Sequence, residues 1–351
     1  MIIDNRKIGA NEKPYIIAEI SANHNGSLAR AKRLIIAAKK AGADAVKLQT
    51  YTAETLTLES TEPDFMISGG LWDGRSLYEL YEEAHTPWDW HEELFKTAKD
   101  HKITIFSSPF DRLAVDLLEA LDAPAYKIAS FEIIDHDLIA YAARTKKPMI
   151  ISTGLASLLE IEEAVEVAKS NGCGDLALLH CLSSYPAPPE DYKLNTIQAL
   201  RKKFSLEVGL SDHTIGNAVP TAAIALGATI VEKHFTESVA GGGPDDSFSM
   251  DSSGLVDLRT GIDIAWASLG FDDFKRQESE VSNLRFRRSL YFVKDIQANE
   301  FISQENVRSI RPGYGVAPKR LHEILGHKMP FPVTRGTAVT QDIFDQIISN
   351  S

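Results

Sequence analysis

The sequence predicts a (β/α)₈ barrel followed by a smaller second domain, and three observations support this fold class. Short apolar runs alternate with segments of helical periodicity through roughly the first three quarters of the chain. The apolar runs number eight, which is the number of strands in such a barrel. After them the chain changes to short strand-like pieces separated by Gly and Pro. We predict a barrel over residues 1–270, a linker over 271–288 and a second domain over 289–351.

Each predicted strand is short and almost continuously apolar, as expected for parallel strands buried on both faces. The eight runs are Tyr15–Ile20, Ala45–Gln49, Ile103–Ser107, Ala125–Ile128, Met149–Ser152, Leu176–His180, Leu206–Leu210 and Thr229–His234. The intervening segments carry apolar residues at helical spacing. Examples are Ala31, Leu34, Ile35 and Ala38, and also Ala114, Leu117, Leu118 and Leu121. These faces are predicted to pack on the barrel.

One connection is too long for a simple crossover between strands. Residues Thr52–Trp90 separate the second and third runs and carry Trp72, Trp88 and Trp90. Long loops in compact domains are usually functional or disordered, and three tryptophans argue against disorder. We therefore expect an ordered segment that covers part of the barrel, with the tryptophans serving either the ligand or simple packing.

Composition excludes several classes of protein. The net charge of −12 disfavours a nucleic-acid-binding protein, because phosphate backbones require clustered Lys and Arg. No run approaches the roughly 20 apolar residues of a membrane span, and the N-terminus lacks the apolar core of a signal peptide. The two cysteines, Cys173 and Cys181, make no disulfide framework. We expect a cytoplasmic protein that binds neither nucleic acid nor membrane.

Polar residues close every predicted strand, and in this fold the active site lies at that end of the barrel. Lys47 and Lys127 lie within apolar runs, although lysine is almost never fully buried unless it is paired. Four serines stand at strand ends: Ser108, Ser130, Ser152 and Ser211. Serines of this kind also occur in ordinary turns. Together with two lysines they indicate a site for a phosphate and a carboxylate group.

Two histidines and two glutamates complete this rim. His213 and His234 close the seventh and eighth runs, which are neighbours in a barrel, so their imidazoles can share a divalent ion. Two protein ligands leave positions open and favour an octahedral ion of the Mn²⁺ or Mg²⁺ kind over tetrahedral zinc; two independent histidines are the alternative. Glu19 and Glu232 are candidates for a general base or a partner of the site, or for a salt bridge to a lysine.

Read together, the rim segments resemble the sialic acid synthase family, and the resemblance spans nearly the whole chain. The matching motifs are Ile17–Gly26, Gly42–Gln49, Tyr126–Ser130, Gly209–His213, Glu232–Phe235, Ser289–Tyr291 and Ile310–Gly313. The resemblance implies a phosphoenolpyruvate-dependent synthase whose C-terminal antifreeze-like (SAF) domain covers the barrel of its partner in a domain-swapped homodimer.

The resemblance also implies roles for individual residues. Phosphoenolpyruvate would be held by Lys47, Ser108, Lys127, Ser130, Ser152, Ser183 and Ser211. The acceptor sugar would contact Asn23, Tyr185, Asp245 and Arg311. The catalytic set would be Glu19, Lys47, Lys127, His213, Glu232 and His234, with the two histidines binding Mn²⁺, or else Mg²⁺ or Co²⁺.

Several segments favour the branch of this family that makes pseudaminic acid from a diacetamido trideoxy altrose. They are Gly69–Asp73, Thr86–His91 and the pair Phe248 and Ser249. Ser183 and Ser108 differ from the residues usual in the N-acetylneuraminate branch. The alternatives are an N-acetylneuraminate or legionaminate synthase, a barrel synthase of shorter ulosonic acids, and a sugar-binding protein without catalysis.

Overall fold

A computed structural model describes residues 1–270 and 273–350, and the chain forms two compact units that meet after Gly270. The first unit is a closed barrel of eight parallel strands, so the predicted fold class is confirmed. The barrel strands are β3 (Tyr15–Glu19), β4 (Ala45–Thr50), β5 (Thr104–Pro109), β6 (Tyr126–Ile128), β7 (Met149–Ser152), β8 (Leu176–Cys181), β9 (Glu207–Asp212) and β10 (Ile230–His234). A short hairpin precedes them, formed by β1 (Ile2–Ile3) and β2 (Arg6–Lys7).

Helices surround the barrel and alternate with its strands. They are α1 (Leu28–Ala41), α2 (Ala53–Leu56), α3 (Leu77–Ala84), α4 (His91–Asp100), α5 (Arg112–Ala120), α6 (His136–Ala143), α7 (Leu158–Ser170), α8 (Thr196–Phe204), α9 (Ala218–Ala225) and α10 (Ser252–Leu269). Serine and aspartate side chains cap several N-termini; in α7, Ser157 and Glu160 form a capping box. Among the residues that the structure describes, no helix is both long and apolar enough to cross a membrane.

Helical periodicity predicted the buried faces with one local difference. Ala31, Leu34, Ile35 and Ala38 are all buried on α1, as predicted. On α5 the buried residues are Ala114, Val115 and Leu118. Leu117 and Leu121 are only partly buried, because the helix turns its Val115 side toward the barrel.

The pleat of the strands separates two sets of side chains. In β3, Ile16 and Ala18 point outward into the core shared with the helices, whereas Tyr15 and Ile17 point into the barrel. Apolar inward residues near the N-terminal ends of the strands, among them Tyr15, Ile17 and Ala45, pack with Ile3 and Ile8 from the start of the chain. The inward residues nearest the C-terminal ends are polar. Alternation along each strand therefore delivers Glu19, Lys47 and Glu232 to the same interior.

The second unit has its own core and its own short sheet. Strands β11 (Ser289–Phe292) and β12 (Val307–Ile310) pair antiparallel, and α12 (Leu321–Ile324) and α13 (Gln341–Ser349) follow. Leu290, Phe292 and Phe344 are fully buried members of this core. The predicted linker 271–288 contains a short helix, α11 (Glu278–Val281), and a turn of 3₁₀ helix. Its residues 271 and 272 lie outside the described part.

Candidate active site

A cavity of about 510 Å³ opens at the C-terminal end of the barrel. Its lining includes ten of the residues singled out from the sequence: Lys47, Lys127, Ser130, Ser152, Tyr185, Ser211, His213, Glu232, His234 and Asp245. They come from the strands β4 and β6 to β10 and from the loops after them. Strand register explains the convergence, because Glu19 lies beside Lys47 on one neighbouring strand and beside His234 on the other.

Two buried lysines and two buried glutamates form a linked network, of which Lys47, Lys127 and Glu232 line the cavity. Lys127 Nζ donates to both carboxylate oxygens of Glu232 at 2.9 and 3.0 Å. Lys47 Nζ lies 2.5 Å from Glu19 Oε2 and 3.7 Å from Glu232 Oε1. All four side chains are almost fully buried. The pairing explains how the lysines tolerate burial, because each ammonium group faces a carboxylate.

Burial and pairing shift the proton affinities of these groups. Burial raises the pKa of Glu19 to about 7, although the ammonium group of Lys47 is adjacent. Burial also lowers the pKa of Lys127, against the attraction of Glu232. Both shifts have the same cause, which is that a low-dielectric interior disfavours the charged form. The salt bridges predicted as one alternative for Glu19 and Glu232 are thus present, and they place both carboxylates within the site.

The serines form a polar pocket around Gly154. A Cβ atom at Gly154 would lie only 2.3 Å from Ser183 Oγ and 2.7 Å from Ser130 Oγ, so glycine is required for this close approach. The hydroxyl oxygens of Ser152 and Ser183 are buried and have no hydrogen-bond partner among residues 1–270 and 273–350. Buried polar groups are normally paired. Unpaired hydroxyls next to two ammonium groups are suited to the oxygens of a bound anion.

His213 and His234 lie side by side, with ring centroids 5.4 Å apart. His213 Nδ1 donates to the carbonyl oxygen of Leu182 at 2.8 Å. Burial acts to lower the pKa of His213, but the interactions with Cys181 and Leu182 raise it. Nδ1 of His234 is buried without a hydrogen-bond partner in the described part of the chain. Burial lowers the pKa of His234 well below its usual value, so this imidazole is neutral. A neutral, unpaired imidazole is the state that binds a metal ion.

The residues present fit a divalent ion that has few protein ligands. No group of three or more His, Cys, Asp or Glu in residues 1–270 and 273–350 is arranged to hold a metal. Asp245 is the carboxylate beside the two histidines, and its Oδ2 lies 3.8 Å from His234 Nδ1. Its carboxylate accepts from the hydroxyl of Ser21, and burial raises its pKa. Two imidazoles with open positions would suit a divalent ion whose other ligands are oxygens, and the identity of the ion stays a prediction.

Five predicted site residues lie outside the cavity lining, namely Glu19, Ser183, Ser108, Asn23 and Arg311. Ser108 is fully buried and accepts a hydrogen bond from Lys47 Nζ at 3.2 Å, so it helps to hold that ammonium group in position. Asn23 is also fully buried, and its amide donates to the carbonyl of Phe235 at 3.0 Å and to Ser249 Oγ at 2.8 Å. This arrangement joins two loops of the rim. Arg311 is exposed and belongs to the second unit.

The long connection between β4 and β5 forms one wall of the cavity. Trp72 lines the cavity, its indole nitrogen donates to the carbonyl of Pro244 at 3.2 Å, and its ring lies 5.9 Å from that of Tyr185. The other two tryptophans have packing roles. Trp88 donates to the carbonyl of Tyr51, and Trp90 packs against the barrel core. Leu56, Leu77 and Tyr81 of the same segment also line the cavity.

Sequence reasoning missed several polar residues of the site, among them Gln49 and Glu132. Gln49 donates to Glu19 Oε1 at 3.0 Å and therefore orients that carboxylate. Glu132 lines the cavity with Oε2 buried and unpaired, and burial raises its pKa to about 7. Both residues could have been found from their positions along the strands. Gln49 points inward two residues after Lys47, and Glu132 follows the end of β6.

Comparison with known proteins identifies the family of this chain. Residues 34–273 match the NeuB family, and residues 287–344 match the SAF domain. The chain belongs to the NeuB family. It is 46% identical over 334 residues to a pseudaminic acid synthase of Campylobacter jejuni, covering 95% of this chain and 97% of that protein. A pseudaminic acid synthase of Helicobacter pylori is 44% identical, with 94% and 98% covered.

A solved structure supports the same relationship. The N-acetylneuraminic acid synthetase of Leptospira borgpetersenii, determined with citrate, matches with a TM-score of 0.73 and 33% identity. The match covers 82% of this chain and 95% of that one. The resemblance to sialic acid synthases drawn from the sequence is therefore confirmed.

Proposed function

We propose that this protein condenses phosphoenolpyruvate with 2,4-diacetamido-2,4,6-trideoxy-β-L-altropyranose and water to give pseudaminic acid and phosphate. The observation that carries the proposal is the convergence of Lys47 and Lys127 with the pair His213 and His234 in one cavity. The near full-length identity to two pseudaminic acid synthases supports the choice of acceptor.

Phosphoenolpyruvate would occupy the polar side of the cavity. Its phosphate and carboxylate groups match the ammonium groups of Lys47 and Lys127 and the hydroxyls of Ser130, Ser152 and Ser211. Ser183 adds a hydroxyl beside Gly154. Fixing this molecule in one orientation removes much of the entropic barrier to a bimolecular reaction, about 7–11 kcal/mol for well-oriented partners.

The acceptor would react in its open-chain form with its aldehyde toward His213 and His234. A divalent ion held by these two residues, Mn²⁺ or else Mg²⁺ or Co²⁺, would supply Lewis-acid polarisation of the aldehyde oxygen. Tyr185 covers both imidazoles, with ring centroids 4.3 Å from His213 and 6.2 Å from His234. Its ring would shield this end of the acceptor from bulk water.

The reaction forms one carbon–carbon bond and breaks one carbon–oxygen bond. C3 of phosphoenolpyruvate attacks the aldehyde carbon, whose oxygen takes up a proton, and C2 becomes electrophilic. Water adds to C2 and loses a proton, and the C2–O bond to phosphate then breaks. Glu19, held by Lys47 and Gln49, would exchange the proton of that water. Its pKa of about 7 suits a group that gives and takes protons near neutral pH.

We further propose a homodimer in which the SAF domain of one copy covers the barrel of the other and brings Arg311 to the acceptor. Large apolar residues are exposed in the loops after β6, β7 and β9 and in the first turns of α5 and α7. They are Leu113, Phe131, Ile134, Leu155, Leu158, Leu159 and Ile215. Contiguous exposed apolar residues mark interaction surfaces. The partner would cover them, in the cytoplasm, where phosphoenolpyruvate is made.

The test is phosphate release and product mass with phosphoenolpyruvate, Mn²⁺ and each of three acceptors. The acceptors are the diacetamido altrose, N-acetylmannosamine and the diacetamido precursor of legionaminic acid. Release with the altrose derivative alone supports the proposal. Preference for another acceptor would keep the chemistry and replace the sugar. Absence of release with every acceptor, with and without metal, would favour a protein that only binds its ligands.

A further inference from the structure

The cavity has an apolar wall in addition to its charged groups, and the wall comes from the segment between β4 and β5. The wall residues are Leu56, Ile67, Leu77, Leu80, Tyr81 and Ala84. Four of them lie on α3 and one on α2. Phosphoenolpyruvate carries only charged groups and a two-carbon vinyl unit, so a wall of this extent serves the other reactant.

The wall is held in place by local structure. α3 begins with a capping box in which Ser76 and Glu79 bond each other's backbone amides. The loop before it is closed by hydrogen bonds from Ile67 N to Arg75 O at 2.8 Å and from Gly74 N to Ile67 O at 2.9 Å. The indole of Trp72 ties the loop to Pro244. A wall that is fixed in this way presents a shaped surface to the acceptor.

One unpaired polar atom lies at the edge of this wall. Oε2 of Glu132 is buried and has no hydrogen-bond partner in the described residues. The carboxylate is close enough to Tyr81 to raise the pKa of that hydroxyl, after the effect of burial. A buried oxygen without a partner is costly unless a ligand supplies a donor. The cavity thus combines an apolar surface with a hydrogen-bond acceptor.

We infer that the apolar wall and Glu132 form a subsite for the C4 acetamido group of the acceptor. Its methyl group would pack against Leu77 and Tyr81, and its N–H would donate to Glu132. An acetamido group has both parts, whereas a hydroxyl at the same carbon lacks the methyl. The position of Glu132 in the barrel favours the C4 acetamido group over the C2 acetamido group. Glu132 follows β6, which lies across the barrel from β10 and His234, so the subsite is remote from the reacting aldehyde.

This inference rests on the proposed function and makes the wall the determinant of acceptor choice. Its test uses two acceptors, the 2,4-diacetamido-2,4,6-trideoxy altrose and the analogue with a hydroxyl at C4. The variants are Leu77→Asn, which makes the wall polar at nearly constant size, and Glu132→Leu, which removes the acceptor atom. Leu58→Asn is the matched control, because Leu58 lies in the same segment but is 66% exposed.

Each of the two site variants should lower the ratio of kcat/KM for the diacetamido acceptor to kcat/KM for the 4-hydroxy analogue by about tenfold or more. This is the discrimination that one well-fitted apolar group provides. Leu58→Asn should leave the ratio unchanged. Equal losses for both acceptors, with thermal unfolding unchanged, would overturn the subsite and leave the proposed function standing. If the wild-type protein turned over neither acceptor, the proposed function would fail, and the subsite with it.

Discussion

Lys127 Nζ contacts both carboxylate oxygens of Glu232, at 2.9 and 3.0 Å, and both side chains are buried. Each residue therefore compensates the charge of the other in an interior where an isolated charge is strongly unfavourable. The pair is also poised for function, since an anionic substrate next to Lys127 would meet an ammonium group that is already held in position.

Removing one partner of this pair should destabilise the fold more than removing both. Lys127→Met leaves buried Glu232 with only Lys47, 3.7 Å away, to compensate its charge, at a cost of up to about 3–5 kcal/mol. Adding Glu232→Gln to that variant should recover a large part of the loss without restoring activity. Urea unfolding measures the stabilities, and phosphate release measures the activity. Equal stability of the single and double variants would show that the two charges are not coupled.

His213→Ala should abolish the metal-dependent part of phosphate release, because one imidazole cannot hold a divalent ion against water. Titration with Mn²⁺, followed by electron paramagnetic resonance, should show the loss of tight binding in the same variant. His101→Ala is the control, since His101 is exposed at the end of α4. Full Mn²⁺-dependent turnover by His213→Ala would remove His213 from the ligand set.

Gly154→Ala should raise KM for phosphoenolpyruvate by about tenfold or more. The added methyl would meet Ser183 Oγ at 2.3 Å and Ser130 Oγ at 2.7 Å, so at least one hydroxyl must move. Overpacking of this kind costs about 1–3 kcal/mol. Gly174→Ala is the matched control, because the nearest atom to its added methyl is 3.8 Å away. An unchanged KM in the Gly154 variant would separate these serines from substrate binding.

The pH dependence of stability should report on Glu132, whose pKa burial raises from 4.5 to about 7. Between these values the folded state holds a proton that the unfolded state has lost, so the free energy of unfolding falls as pH rises from about 4.5 to 7. Glu132→Gln lacks this proton. Relative to the wild type, it should be more stable at pH 8 than at pH 5 by up to about 3 kcal/mol, measured by urea unfolding. A pH-independent difference would contradict the shift.

Arg311→Ala should raise KM for the acceptor sugar and leave KM for phosphoenolpyruvate nearly unchanged, if the second domain serves the partner's barrel. Arg308→Ala is a suitable control, because Arg308 is also exposed and lies on β12, three residues before Arg311. Mixing Arg311→Ala with an inactive Lys127→Met variant should restore some activity through mixed dimers. No change in acceptor kinetics would remove the main functional reason for the swapped dimer.

Much of the site could be predicted because a closed barrel brings the C-terminal ends of all its strands together. Once Lys47, Lys127, His213 and His234 were placed at the ends of parallel strands, the closed sheet required them to converge. The alternation of inward and outward side chains along each strand then decided which other residues face the same interior. Lys233 shows the other outcome, since it points away from the barrel interior and pairs with Asp212 at 2.5 Å.

Periodicity could not predict the contacts made by irregular segments. The three tryptophans of the segment between β4 and β5 looked alike in sequence, yet Trp72 alone of the three lines the cavity. Asn23 sat in a rim motif, but its amide bonds the backbone of Phe235 instead of facing the cavity. Such side chains are placed by turns and by long-range packing, for which no simple repeat exists.

The amino-acid sequence by itself determined the fold class, the eight strands and the set of groups at the rim, because these follow from local periodicity and from the chemistry of each residue type. Tertiary structure alone decided which groups pair, as with Lys127 and Glu232, and which are left unpaired, as with Glu132. Pairing and burial depend on distances between residues far apart in the chain, and those distances set the pKa values and the charge of the site.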